Sequence, residues 1–163
     1  MKKSLVILPA LALCFLAGCN DAIDYNDTIV KALEECEIAM NGTVVDHAIN
    51  EEGIKNALTV CTDNKEKVEK LGAYEGDISF GNASIDYLVL AINYINSMQE
   101  RLQYEGMVEE EFTPEITEAY NTNLLNSQSI YNSLMEQHDI VANIQKTFAD
   151  KNEFMIDEES TAQ

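Results

Sequence analysis

His47 and His138 are the only histidines in the chain. In a helical protein that also carries Met40, they invite a haem-binding reading, with His138 and Met40 as axial ligands. The attachment motif Cys-x-x-Cys-His is absent, however, and a lone histidine on a helix stripe is ordinarily a satisfied, partly buried side chain. A di-metal carboxylate centre needs Glu-x-x-His on each of two helices. Met135-Glu136-Gln137-His138 has the wrong spacing and no second copy, so neither a metal nor a cofactor is expected. Nucleophilic catalysis would need a serine, a histidine and an acid converging in one pocket. Ser127, Ser129 and Ser133 instead sit in a run of amides that reads as a polar helix face. Tyr87, Tyr94, Tyr104, Tyr120 and Tyr131 fall at core or rim spacing, where aromatic packing is the default and a carbohydrate or peptide platform the minor alternative. The residue types therefore point away from an enzyme.

Cys19 carries the clearest chemistry. Met1-Lys2-Lys3 is a short positive region, and Ser4 to Phe15 is an apolar run, interrupted by Pro9, that is too short to span a bilayer permanently. It is followed by Leu16-Ala17-Gly18-Cys19, which resembles the lipobox of bacterial lipoproteins. The resemblance implies cleavage before Cys19 and a thioether from that thiol to diacylglycerol. The plain alternative is ordinary secretory cleavage near Ala17-Gly18, leaving a free thiol. Two ester-linked chains, usually with a third on the amine, satisfy the need of stable anchoring for more than one lipid. In this class of lipoprotein an aspartate directly after the cysteine retains the protein in the inner membrane. Here Asn20 holds that position, which implies the outer membrane, with the protein facing the periplasm or the cell surface.

The chain divides accordingly into a signal peptide (1–18), a lipidated cysteine with a short tether (19–21), a helical domain (22–156) and an acidic disordered tail (157–163). Removal of the signal takes Lys2 and Lys3 and no acid, so the net charge moves from -19 to -21. Such a surface repels phosphate backbones and anionic headgroups, which argues against a nucleic-acid partner. Its bland role is solubility beside a membrane; its functional role would be docking a basic protein or loosely holding divalent cations. With Cys14 lost and Cys19 carrying lipid, Cys36 and Cys61 remain. In an oxidising compartment they are expected to pair.

Four elements must position these residues. Ala22, Tyr25, Ile29, Leu33, Cys36 and Met40 draw one helical stripe that stops at Asn41-Gly42. A second stripe runs from about Asn50 to Leu71 through Ile54, Ala57, Leu58, Cys61, Val68 and Leu71, with a possible kink at Thr62-Asp63-Asn64 and a stop at Gly72. In an antiparallel hairpin Cys36 and Cys61 stand almost equally far from the turn, which supports the disulfide. The third helix, capped near Ser79 or Asn82, buries Ile85, Leu88, Ala91, Ile92, Ile95, Met98 and Leu102 and ends at Gly106. Leu88 to Ile92 is apolar all round, which places this helix deepest. Thr113-Pro114-Glu115 opens the fourth helix, whose stripe is Ile116, Tyr120, Leu124, Tyr131, Leu134, Val141, Ile144 and Phe148. It is long enough that it must overhang the bundle or bend near Asn121, Asn123 and Asn126. The expected fold is an all-α, up-down-up-down four-helix bundle.

Tyr25-Asn26-Asp27, Gly76-Asp77 with Phe80 and Asn82-Ala83, and the run Phe148 to Phe154 are similar to positions in a leptospiral-type family of helical surface lipoproteins. The resemblance implies a bundle on a cell envelope, and the family has no assigned activity to carry over. The functions left open are a structural or protein-binding envelope module, a small-ligand carrier with a pocket between helices, and an immunity or inhibitor lipoprotein whose acidity complements a basic toxin or lysozyme-like enzyme.

Overall fold

Each apolar stripe becomes one helix. The computed structural model describes the backbone of residues 12–45 and 48–156 and the side chains from Asp21 onward within them. Lys2, Lys3, His47 and the tail 157–163 lie outside the described residues. Helix α1 spans Ala12–Asn41, α2 Glu51–Leu71, α3 Ser79–Arg101 and α4 Pro114–Lys151. They pack in sequence order, α1 on α2, α2 on α3 and α3 on α4, while the backbones of α1 and α4 stay further apart. This is the all-α, up-down-up-down arrangement expected from the periodicity.

Helix α1 begins ten residues before Ala22. Cys19, Asn20 and Asp21, expected as a tether, are thus helical backbone continuous with the bundle. Its inner face is Ala22, Tyr25, Ile29, Ala32, Cys36 and Ala39, with Leu33 and Met40 only half-buried. After Asn41 the chain forms a two-residue ribbon, β1 (Val44–Val45) against β2 (Ala48–Ile49), with Val44 opposite Ile49. The α1 end is locked onto the first turn of α2: Asn50 Nδ2 donates to the Gly42 carbonyl at 3.2 Å. A Cβ on Gly53 would collide with that same carbonyl, so the absence of a side chain at Gly53 sets how closely the two helices meet. Helix α2 is continuous through Thr62-Asp63-Asn64, and Asn64 is buried. Leu71 is exposed rather than inward.

Helix α3 starts where Asp77 Oδ1 accepts the Ser79 N–H at 2.9 Å, an acid placed at the positive end of a helix. It is the deepest helix, with Phe80, Tyr87, Leu88, Ala91, Ile95 and Met98 buried. Val89, however, is 37% exposed, so the segment is not buried all round. It ends at Arg101 and tightens into a 3-10 turn at Leu102–Tyr104, short of Gly106. Glu109–Glu111, read as a linker, is another 3-10 turn.

Helix α4 begins as its sequence dictates, with the Thr113 side chain accepting the Ile116 N–H at 3.3 Å and Pro114 in the first turn. Its 38 residues form one helix, about 57 Å long at 1.5 Å per residue. It overhangs. Ser127 Oγ meets Ser97 Oγ at 2.8 Å, and Thr43 Oγ1 meets the neighbouring Met98 sulfur at 3.4 Å, so the α1–α2 turn lies level with Ser127. The turns from Pro114 to Asn126 extend roughly 20 Å beyond that level, accompanied by the end of α3, the 3-10 turn after it and Phe112, whose ring meets Tyr120.

At the opposite end an aromatic cluster gathers all four helix ends. Tyr25 from α1 and Phe80 from α3 pack on Phe148 of α4, with ring centroids 5.4 and 5.6 Å apart. The Tyr25 hydroxyl donates to the Gly72 carbonyl after α2 at 3.0 Å. Cys19 belongs to this end.

Candidate functional site

Cys36 and Cys61 are fully buried and joined in a disulfide, with Cα atoms 4.7 Å apart. The pairing expected from the sequence is present, although the two cysteines are not equidistant from the turn: α1 ends at Asn41, five residues after Cys36, and α2 begins at Glu51, ten before Cys61.

His138 lies on α4 where the α1 and α4 backbones stand apart. It lines a cavity of about 60 Å³ together with Val30, Glu34 and Glu37 of α1 and Tyr87 of α3. The Tyr87 hydroxyl donates to Glu37 Oε1 at 2.8 Å. Burial, reinforced by the negative charge of Glu37, pushes the Tyr87 phenol far above its ordinary range, so it stays a neutral donor. The Tyr87 and His138 rings lie 6.2 Å apart. A cavity of this size holds a few waters, whereas small-molecule sites occupy about 300–1,000 Å³. A porphyrin between His138 and Met40 has no room here. Next to the cavity, Gln145 Nε2 donates to Asn26 Oδ1 at 3.1 Å, which ties α4 to α1.

Ser127 is not on a polar face as its neighbours implied. It is buried, and its hydroxyl lies 2.8 Å from that of Ser97. Ser129 and Ser133 are exposed. Tyr94 packs on Tyr131 at a tilt of 49° with centroids 5.4 Å apart, and Tyr104 meets Tyr120 edge-on at 5.4 Å, so packing accounts for both pairs. Among the described residues no three His, Cys, Asp or Glu side chains converge as a metal site, and no helix is long and apolar enough to cross a membrane.

A wider concavity than the one beside His138 lies on the overhang. A groove of about 620 Å³ runs between the end of α3 and the first turns of α4, lined by Glu100, Tyr104, Glu115, Glu118, Asn123 and neighbours that include no lysine or arginine. Glu115 in the first turn of α4 has its carboxyl held below the usual range by its own backbone N–H and the Thr113 hydroxyl. Asn123 is 8% exposed. Its Nδ2 donates to the Ser97 carbonyl and to Glu100 Oε2, both at 3.1 Å, and its Oδ1 has no donor.

No family model, curated protein or solved structure matches this chain. Function therefore has to be argued from the site. Sequence reasoning overlooked the groove because its acids are spread over two helices and a turn: Glu100, Glu115 and Glu118 look like unrelated surface charges until the α3–α4 hairpin closes. The available signal was the asparagine series in α4, which was read as a weak point.

Proposed function

We propose that this chain is a lipid-anchored cell-envelope protein, held through Cys19 in the outer membrane, that works by binding another protein and not by catalysis. The observation that carries the reading is the separation of its two chemical ends. Cys19 stands at one end of α1, and the acid-lined overhang stands beyond the other, about 45 Å away along the bundle by helix rise. A lipid on Cys19 would hold the bundle end-on, with almost no spacer because α1 runs through that residue, and would present the groove away from the membrane. The charge of the chain favours a basic partner and repels nucleic acid. An inhibitor of, or immunity protein against, a basic toxin or lysozyme-like enzyme is a special case of this reading. A small-ligand carrier with its pocket beside His138 has less support, since that cavity has room only for water-sized occupants, and the groove of about 620 Å³ between α3 and α4 is an open surface and not an enclosed pocket.

The test is metabolic labelling with a palmitate analogue. The wild-type protein should take up label and fractionate with the outer membrane, and Cys19→Ala should be unlabelled and released or retained as precursor. A labelled, membrane-bound alanine variant would refute the anchor.

A further inference from the structure

The end of the bundle that carries Cys19 has an apolar surface that packing does not account for. Met155, just past the end of α4, is 97% exposed, and Ile78, immediately before α3, is 53% exposed. Their chain neighbours are held: Phe154 packs on Phe148 with ring centroids 6.0 Å apart, and Phe80 packs on the same ring. Scattered apolar residues on a surface need no explanation, but position gives these two a different weight. Ile78 precedes Phe80 on its helix and Met155 follows Phe148, so both lie on the Cys19 side of the aromatic cluster. Tyr25 belongs to that cluster, and Cys19 lies six residues before it on the same helix, about 9 Å further along the axis. A headgroup layer is itself about 5–8 Å deep. Because α1 runs through Cys19 without a spacer, diacylglycerol on that thiol would set this end of the bundle at the headgroups.

We infer that this end is a membrane-contacting face, on which Ile78 and Met155 enter the interfacial layer of a zwitterionic bilayer beside the lipid of Cys19. The inference rests on the reading of Cys19 as the anchor and adds how the domain sits on its membrane. Apolar side chains gain buried area in that layer while neighbouring charges stay in water. Glu75, Asp150 and Glu153 are exposed on the same end, and Lys151 is already paired with Asp77 at 3.0 Å. An anionic surface would therefore be repelled, and a neutral one is the fitting partner. The far end also exposes apolar side chains, Leu125 at 69% among them, but an end-on anchor carries them away from the lipid. Leu125 is thus an internal control.

The chain contains no tryptophan, so a single introduced indole reports on one position. The lipidated protein is reconstituted into phosphatidylcholine vesicles whose acyl chains carry bromine near the glycerol end, with Met155→Trp, Ile78→Trp or Leu125→Trp as the reporter. All three positions are exposed, and Met155 makes so little contact that its replacement leaves the fold alone. The indoles at 155 and 78 should lose at least about half of their emission, as rings in the interfacial layer would. The indole at 125 should lose less than about a tenth, since helix rise places it tens of ångströms from the lipid. Equal quenching at all three positions would mean that the bundle lies on its side, and no quenching at 155 and 78 in protein that stays on the vesicles would mean that this end stands clear of the bilayer; either result overturns the face. Replacing part of the phosphatidylcholine by phosphatidylglycerol should weaken quenching at 155, and stronger quenching would overturn the choice of a neutral surface. Intact labelling at Cys19 without quenching removes the face and leaves the anchor, whereas an unlabelled Cys19 removes both.

Discussion

Reduction of the Cys36–Cys61 disulfide is the perturbation whose size follows most directly from the structure. The bond closes a loop with a sequence separation of 25. The chain-entropy relation assigns such a loop about 3.5 kcal/mol at 25 °C, because the reduced unfolded chain regains that freedom. Both sulfurs are fully buried, so the reduced protein must also bury two thiols at the same spacing. Dividing by an unfolding entropy of about 2.1 cal/mol/K per residue over the described helical domain gives a fall in Tm of roughly 12 °C. The assay is thermal unfolding followed by circular dichroism at 222 nm, with and without reductant. The Cys36→Ala/Cys61→Ala protein serves as a form that cannot reoxidise. Thiol labelling under denaturing conditions without reductant should find neither Cys36 nor Cys61 reactive. Two reactive thiols, or a midpoint within about 2 °C of the oxidised protein, would refute the reasoning, since α1 and α2 would then be held in register by packing alone.

Gly53→Ala should destabilise by about 1 kcal/mol or more, although alanine is the better helix former by about that amount. The new Cβ strikes the Gly42 carbonyl and must push the ends of α1 and α2 apart, so the urea midpoint should fall; an unchanged or raised midpoint would sink the close-approach argument. Asp77 is held down to about 2 by the Ser79 backbone N–H and by Lys151, whose Nζ lies 3.0 Å away. A depressed folded value means that its contribution is present above the ordinary value of 3.8 and is lost as the pH falls toward 2. Asp77→Asn keeps an oxygen to accept the Ser79 N–H and loses only the charge beside the helix N-terminus and Lys151, so it should be less stable than wild type at pH 7 by about 0.5–1 kcal/mol, and the two unfolding curves should converge in acid. A gap that persists unchanged at about pH 2 would show that the charge is irrelevant.

What could be read from the sequence was whatever the chain decides locally. Thr113-Pro114 opens α4 because its hydroxyl and ring serve the helix's own first turn, and Gly72 closes α2 because that position is taken at a φ of 67°. The disulfide was readable because a hairpin register depends only on residues near it in sequence. The first third of α4 was not. Its apolar stripe predicted Leu124 and Tyr131 inside, yet both are exposed while Asn123 and Ser127 are buried. Polar residues can occupy that face because Ser97, on another helix, supplies a hydroxyl to Ser127 and a carbonyl to Asn123. Nothing in the fourth stripe announces that partner. Gly53 was silent for the same reason, since its role is set by a carbonyl on the preceding helix. Tyr87 read as core or rim; its burial follows from Glu37 standing across the seam to take its proton donor.

The order in which the helices pack has a consequence for how the chain acquires its shape. Because each helix rests chiefly on the one before it, most native pairings close short stretches of chain, the topology that folds in microseconds to milliseconds. The disulfide joins α1 directly to α2, so this pair can be covalently secured before α4 arrives, although its inner face is completed only when α3 packs on it. The seam between α1 and α4 is the reverse case. Its Asn26–Gln145 bond joins residues 119 apart in sequence, so it must wait for the last helix to arrive. The same seam, less closely packed than the sequential helix pairs, should open before the cross-linked pair, and amides along the outer face of α4 should exchange with solvent well before those of α1 and α2 around the disulfide.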